Sequence, residues 1–435
     1  MNSYQATIAK IDSTTPIPGA DRIHIAYVLG ESVIVSKEWT EGMIGVFFPV
    51  DCQLSHDFCH HNNLYRDPEM NVDKEKTGFF DKNRKVRAQP FMKVKSCGYF
   101  THLDSLSYLT SNINQFKLGD SFDNHKGKEI CRKFVSEATK KALANAASKK
   151  RKTTIDAPLF HKHVDTDHFK RALHTIPEGA LITIHSKQHG TSARMALSKV
   201  NTTLPKWKEV VNSVYPIFPT EKWEYLVGTR NVTLYPDQYD KQSFHGSEQF
   251  RFDAMEEVKP YLEKGMTIYG ELLGWANGKP IMGVHSTKGL KNKQIQKKYG
   301  DSITYSYNNP EGEMSLMIYR ITYTNDDGQE LDFTPWQLQD WCEKRGLTPS
   351  LMVAEPFIFT GDYVDLKDQV EELTEREDCL CEDFVDPSHI SEGVIVRVDY
   401  KGQIPKFYKS KSFWFSCLEG FAKEQEDFID EEDSN

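Results

Sequence analysis

The chain has no run approaching the roughly 18 consecutive apolar residues of a membrane-spanning helix, so no span is expected. Its opening stretch, MNSYQATIAKIDSTTP, lacks the apolar segment of a secretory leader. Cysteine is not enriched, 8 in 435 residues, and with no secretory leader this argues against a disulfide-built scaffold. The thiols are read as reduced, in a cytoplasmic or otherwise intracellular protein. Net positive charge is also lacking. The 54 basic and 63 acidic side chains leave −9, so the chain is not a uniformly basic nucleic-acid coat.

The excess acid sits in two places. Residues 362–386 hold eleven acidic side chains against Lys367 and Arg376, and residues 423–435 hold seven against Lys423. The remainder is basic by six charges, which suits an anionic partner. With 38% hydrophobic and 27% charged residues, this is a globular composition, and the length suggests two or three domains.

Residues 1–130 read as β-rich. Ala6–Ile11, His24–Leu29, Val33–Ser36, Gly45–Val50 and Phe91–Lys95 are short apolar or alternating runs punctuated by Pro and Gly, the pattern of a small barrel or sandwich. Residues 60–90 are polar and read as a long loop. Residues 136–152 are Ala/Lys-rich and predict a solvated linker helix. Residues 153–422 mix strands and helices in an α+β pattern, and Thr334-Pro335 marks a helix start. The acidic tail, 423–435, is expected to be disordered.

Five short elements in the second region carry chemistry. Lys187-Gln-His189-Gly190-Thr-Ser-Ala-Arg194 follows the apolar strand LITIH; glycine permits a tight turn, and a lysine crowded by other cations becomes a nucleophile. Taken alone, a lysine before a turn is most often an ordinary surface residue. Glu271 follows Tyr269-Gly270 in an apolar strand. Tyr319, in Leu316–Tyr323, could stack on a base or simply pack in the core. Glu392 precedes the strand that starts at Gly393. Lys409 and Lys411 alternate, so they share one face of a strand, where two ammonium groups call for an anion between them.

Their order changes the reading. Lysine–glycine turn, carboxylate strand, aromatic strand, Glu-Gly strand and paired lysines resemble motifs I, III, IIIa, IV and V of the covalent nucleotidyltransferases, the superfamily of ATP-dependent ligases and capping enzymes. The resemblance covers about residues 155–415. His189 matches the KxHG form of nick-sealing RNA ligases, where many DNA ligases and capping enzymes have Asp. Gly228-Thr-Arg230-Asn-Val resembles the arginine element between motifs I and III. Ala6–Ile11, Pro16–Arg22 and GVFFPVD resemble the OB domain that precedes the transferase in one RNA-ligase family.

The resemblance implies an N-terminal OB-type β-barrel (1–135), a linker (136–152) and a transferase domain of antiparallel sheets with flanking helices (153–422). It implies an ATP-dependent RNA ligase joining 3′-hydroxyl and 5′-phosphate ends, nicks in particular, through lysyl-AMP on Lys187. His189, Gly190, Arg194, Arg230, Glu271, Tyr319, Glu392, Lys409 and Lys411 would bind nucleotide, and the two lysines would also act in catalysis. Mg²⁺ or Mn²⁺ would be held by Glu271 and Glu392, largely through water. A monomer acting on RNA, with no membrane, is expected. The alternatives are a capping-type guanylyltransferase, a DNA ligase, or a non-catalytic RNA-binding protein. Lys288–Lys298 is a candidate phosphate track. Cys52, His56, Cys59, His60 and His61 fit no common zinc spacing, and His161, His163 and His168 are read as surface residues.

Overall fold

The computed structural model describes residues 4–148, 155–236 and 247–422. The acidic tail and residues 149–152 of the expected linker lie outside them.

The N-terminal sheet is built from β1 (Ala6–Pro16), β2 (Ile23–Val28), β3 (Glu31–Ser36), β4 (Ile44–Phe48) and β5 (Tyr99–His102), in the order β3-β2-β1-β4-β5. β1 is shared. Thr7–Lys10 pairs with β4, and Ile11–Pro16 pairs with β2 after a register shift between Ile11 and Ser13. Such a bulge bends and twists a strand, so one long strand serves both sides of a curled sheet, as an OB-type barrel requires. One face buries Ile11, Val28, Val33 and Phe47. The other buries Ile8, Val46 and Phe48 beneath Phe58, Tyr65, Phe80 and Val86.

Those covering residues correct the reading of 60–90 as a loop. Asn71, with no exposed surface, accepts from the Tyr65 N–H at 2.9 Å and donates to the Tyr65 and Lys76 carbonyls at 2.9 and 2.8 Å. A buried amide that closes three backbone bonds replaces regular structure there. The expected strand Phe91–Lys95 is instead the tip of a hairpin, Ala88–Phe91 against Val94–Cys97, turning through left-handed Met92 and Lys93. The Ala/Lys-rich stretch does form a helix, Glu137–Ser148.

The remaining principal strands are β6 (Thr166–His168), β7 (Leu181–Ser186), β8 (Thr191–Asn201), β9 (Glu221–Gly228), β10 (Met266–Ala276), β11 (Met314–Thr324), β12 (Gly393–Asp399) and β13 (Lys406–Lys411). β6-β13-β12-β7 and the short Phe357–Ile358 form a five-stranded sheet; β9-β8-β10-β11 are the centre of an eight-stranded one. β8, not anticipated from the sequence, begins only five residues after β7 ends. The 187–190 turn therefore carries the chain from one sheet directly into the other.

Helices cover the outer faces. Gln249–Val258 packs Ala254, Met255 and Val258 into the core of the large sheet. Pro335–Glu343 starts at Thr334 with a capping box closed by Gln337. The acidic segment 362–386 opens as a helix, Tyr363–Glu375, capped by Asp362, and buries Leu366 and Val370 against the five-stranded sheet. Its end meets the barrel: Lys95 Nζ lies 2.6 Å from Glu375 and 2.5 Å from Glu377. The last helix, Phe413–Ala422, packs Phe413, Phe415 and Leu418 with Ala88 of the barrel. The excess acid of this segment thus partly serves to seat the N-terminal domain.

Candidate active site

Two adjoining cavities meet at Lys187. The first is aromatic and apolar, walled by His163, Met317, Tyr319, Ile395 and Phe407, with Lys187, Arg230, Glu271 and Lys409 at its polar end. The second shares Lys187, Arg230 and Glu271 and adds His189, Gly190, Arg251, Glu392 and Glu419.

The turn after β7 is fixed by close packing. Lys187 N–H donates to the Gly393 carbonyl at 3.0 Å, tying the turn to β12. A Cβ on Gly190 would lie 2.5 Å from the Leu272 carbonyl oxygen and 2.8 Å from Glu271 Cγ, so glycine is what lets the turn lie against β10. Arg251, buried in the helix behind, donates to Thr191 Oγ1 at 2.6 Å and to the Ser192 carbonyl at 3.2 Å, and pins the start of β8. Sequence reasoning missed this arginine, because a lone cation on a charged helix reads as surface.

Glu392 is the electrostatic hub. Its Oε1 lies 2.6 Å from Lys187 Nζ and 3.4 Å from Lys411 Nζ, and the carboxylate is nearly fully buried, with 2% side-chain exposure. Its Oε2 is buried and without a hydrogen-bond partner, 3.8 Å from His189 Nδ1. Lys411 also donates to both oxygens of Glu419, at 3.1 and 2.9 Å. Glu419, from the last helix, was not anticipated; it supplies Lys411 with a counter-charge that the lysine pair was expected to find in a polyphosphate. Lys409 instead lines the aromatic cavity.

His189 is buried among Tyr305, Phe415 and His285, with ring centroids 4.9, 4.8 and 5.2 Å away. Burial holds its imidazole neutral, well below the ordinary histidine range. Its backbone N–H donates to Tyr307 Oη at 2.5 Å. It faces the second cavity, away from the aromatic one. Burial also raises the Tyr319 phenol, so that ring is neutral.

Two expected nucleotide contacts are brought to neither cavity: Lys411, which lines a neighbouring one with Lys409, Glu375 and Glu419, and Arg194. The Arg194 guanidinium is buried and donates to the carbonyls of Thr229 at 2.7 Å, His161 at 2.8 Å and Phe160 at 3.3 Å. Its donors go to the backbone; they hold the 229 turn that presents Arg230, whose own side chain lines both cavities. His163, read as a surface residue, lines the aromatic cavity, and burial lowers its pKa to about 3. Of the other two histidines, His161 is half-buried and lends its carbonyl to Arg194, and His168 is half-buried against Glu31, 3.6 Å away.

Elsewhere, the expected phosphate track is partly internally paired: Lys298 with Glu382, and Lys288 with Asp301 at 3.5 Å. Among the described residues, no group of three His, Cys, Asp or Glu side chains is placed to hold a metal directly. In the 52–61 segment His56 bonds Tyr65 Oη at 2.8 Å and His60 the Met70 carbonyl at 2.7 Å. No described helix is long and apolar enough to cross a membrane.

A family model described as RNA ligase matches residues 181–413, more than half of the chain and every motif above. This chain belongs to the RNA ligase family. That match separates it from the capping-enzyme and DNA-ligase alternatives, and a second model, an OB-fold domain, matches residues 5–92. Together they identify an ATP-dependent RNA ligase with an N-terminal OB domain.

The fold of the ligase resembles solved structures of Naegleria gruberi RNA ligase. A substituted form without nucleotide superposes with a TM-score of 0.56 at 16% identity, covering 96% of this chain and 98% of that one. A form with AMP and Mn gives 0.55 at 15% identity, covering 94% and 97%. A form with ATP and Mn gives 0.54 at 16% identity, covering 93% and 96%. Comparison with curated protein sequences returns no match.

Proposed function

We propose that this ligase joins RNA 3′-hydroxyl and 5′-phosphate ends, nicks in a duplex in particular, through a lysyl-AMP intermediate on Lys187. The observation that carries the reading is the place of Lys187, where an aromatic cavity sized for a base meets a cavity lined by carboxylates and cations. The Naegleria gruberi structures of the same fold contain ATP with Mn, AMP with Mn, or PPi, which supports the same reading.

In the first step Lys187 Nζ, having passed a proton to the Glu392 carboxylate 2.6 Å away, forms a bond to the α-phosphorus of ATP with its lone pair and gives up a second proton to the departing pyrophosphate. The bond to the bridging oxygen breaks and pyrophosphate leaves with its electron pair. In the second, a 5′-phosphate oxygen of RNA takes AMP from Lys187 and regenerates the amine. In the third, the 3′-hydroxyl attacks the activated 5′-phosphate, loses its proton, and expels AMP. All three are in-line transfers, so positioning and charge neutralisation dominate. Tyr319 stacks on adenine, Glu271 accepts from ribose, and Arg230, Lys409 and Lys411 meet phosphate oxygens. His189 and Gly190 hold the turn, and Arg194 acts through the backbone it anchors.

The residues fit a hydrated divalent cation. Glu392 Oε2 is a buried carboxylate oxygen with no partner, and Glu271 and Glu419 line the same cavity. Glu271 and Glu392 would hold Mg²⁺ or Mn²⁺ largely through water, where it neutralises phosphate charge.

The test is incubation with α-labelled ATP and Mg²⁺ or Mn²⁺, followed by a nicked RNA duplex. The expected result is a covalent adduct that disappears as the nick is sealed, and no adduct with Lys187→Ala. Labelling of the alanine variant would overturn the assignment.

A further inference from the structure

The aromatic cavity holds a ring nitrogen with nothing to bind. His163 Nε2 is buried and has no hydrogen-bond partner. Buried polar atoms are rarely left so, and each one calls for an explanation. The other polar groups deep in this cavity are engaged. His185 Nδ1 pairs with Ser350 Oγ at 3.0 Å, and Ser186 Oγ accepts from Gln188 at 2.6 Å. Gln188 Oε1 is also without a partner, but it borders the second cavity too, at the Lys187 end, where sugar and phosphate belong.

The ring is held in place. It stands edge-on to Tyr319, with centroids 5.1 Å apart at 83°, and tilted against Phe407, also at 5.1 Å. Backbone oxygen beside the ring at Val164 favours a ring proton. Assigning that proton to Nδ1 leaves the lone pair on Nε2. Desolvation beside Arg320 keeps the ring from taking a second proton.

Resting on the adenylylation reading above, we infer that His163 Nε2 accepts a hydrogen bond from the 6-amino group of adenine and so sets the nucleotide specificity of the ligase. A purine with no 6-amino group leaves Nε2 unpaired, and a 6-oxo purine sets an acceptor against it. Sites built to bond a polar group reject analogues that lack it, because the buried partner stays unsatisfied.

The experiment measures covalent labelling of the full chain by ATP, by purine riboside triphosphate (which lacks only the 6-amino group) and by GTP, each α-labelled, with Mn²⁺. The wild type is expected to label about tenfold faster with ATP than with the purine analogue, and His163→Leu to lose that preference. The ratio does not depend on how much of the variant is folded. His163→Gln, which keeps a carbonyl acceptor, is expected to retain part of the preference. An unchanged ratio in His163→Leu overturns the inference, as does equal labelling by the two nucleotides in the wild type. If the leucine variant yields no folded protein by circular dichroism, the wild-type and glutamine ratios decide in the same sense. Failure of every nucleotide to label the wild type would instead defeat the adenylylation reading, so the two failures are distinguishable.

Discussion

Replacing Gly190 by alanine tests how closely the chemistry depends on the turn after β7. The added Cβ would sit 2.5 Å from the Leu272 carbonyl oxygen, 2.7 Å from Leu273 Cδ2 and 2.8 Å from Glu271 Cγ. A leucine methyl can swing aside, but the carbonyl belongs to β10, which is paired with β8 through Thr191–Leu272 and with β11 through Leu272–Leu316. Ordinary contact begins at 3.4 Å, so the turn must withdraw by about 0.9 Å. Gly190 is not in the left-handed region, so alanine adds bulk without backbone strain. A displacement near 1 Å at a reacting group costs on the order of a hundredfold in rate, and Lys187 is only three residues upstream. Gly190→Ala is therefore expected to fold, and to form lysyl-AMP about a hundredfold more slowly in single-turnover labelling. A rate within threefold of the wild type, with unchanged circular dichroism, would refute the reasoning.

Three further outcomes follow from the same geometry. Glu419→Gln weakens the bidentate hold on Lys411, and with Glu392 still 3.4 Å away the loss is expected to be about 1–3 kcal/mol; a urea midpoint equal to that of the wild type would contradict it. Lys95→Ala removes a pair of contacts that are partly open to water, with Glu377 71% exposed, so the expected loss is about 1 kcal/mol or less and shrinks with added salt; a salt-independent loss would point to packing instead. Burial raises the Asp383 carboxyl to about 7 from an ordinary 3.8. The native state then keeps a proton that the unfolded chain has released, so this contribution is full below pH 3.8 and is lost as pH rises toward 7. Asp383→Asn should flatten the decline of the unfolding midpoint between pH 5 and pH 7, and an unchanged decline would exclude this residue as its source.

The sequence discloses most of this site because the chemistry fixes both residue type and strand context. A lysine before a glycine turn, a Glu-Gly pair before a strand and alternating lysines in a strand are each legible as residue types at fixed places on strands, and the structure gathers Lys187 and Lys411 around the one carboxylate of Glu392. The correct sheets follow wherever apolar runs are regular, as in Leu181–His185 and Gly393–Asp399. What stays hidden is held by irregular chain. Arg194 lies two residues along β8 from Ser192, on the same face; nothing in the sequence says that the chain around Phe160 and His161 crosses over it and takes its donors. The same uncharted crossing carries His163 into the aromatic cavity. Tyr65, Phe80 and Val86 have no common period, so the covering of the barrel reads as loop. Glu419 lies on a helix near the end of the described chain, and only the tertiary structure brings it to Lys411.

The last helix has a mechanical consequence. Glu419 grips Lys411 beside the reactive amine, while the carbonyl of the very next residue, Gly420, accepts from the fully buried Lys85 of the barrel at 2.9 Å. Two successive residues thus tie the surroundings of Lys187 to the N-terminal barrel. Any tilt of the barrel is carried along that rigid piece of backbone to Lys411, so seating the two domains and placing the charges around Glu392 are one mechanical adjustment.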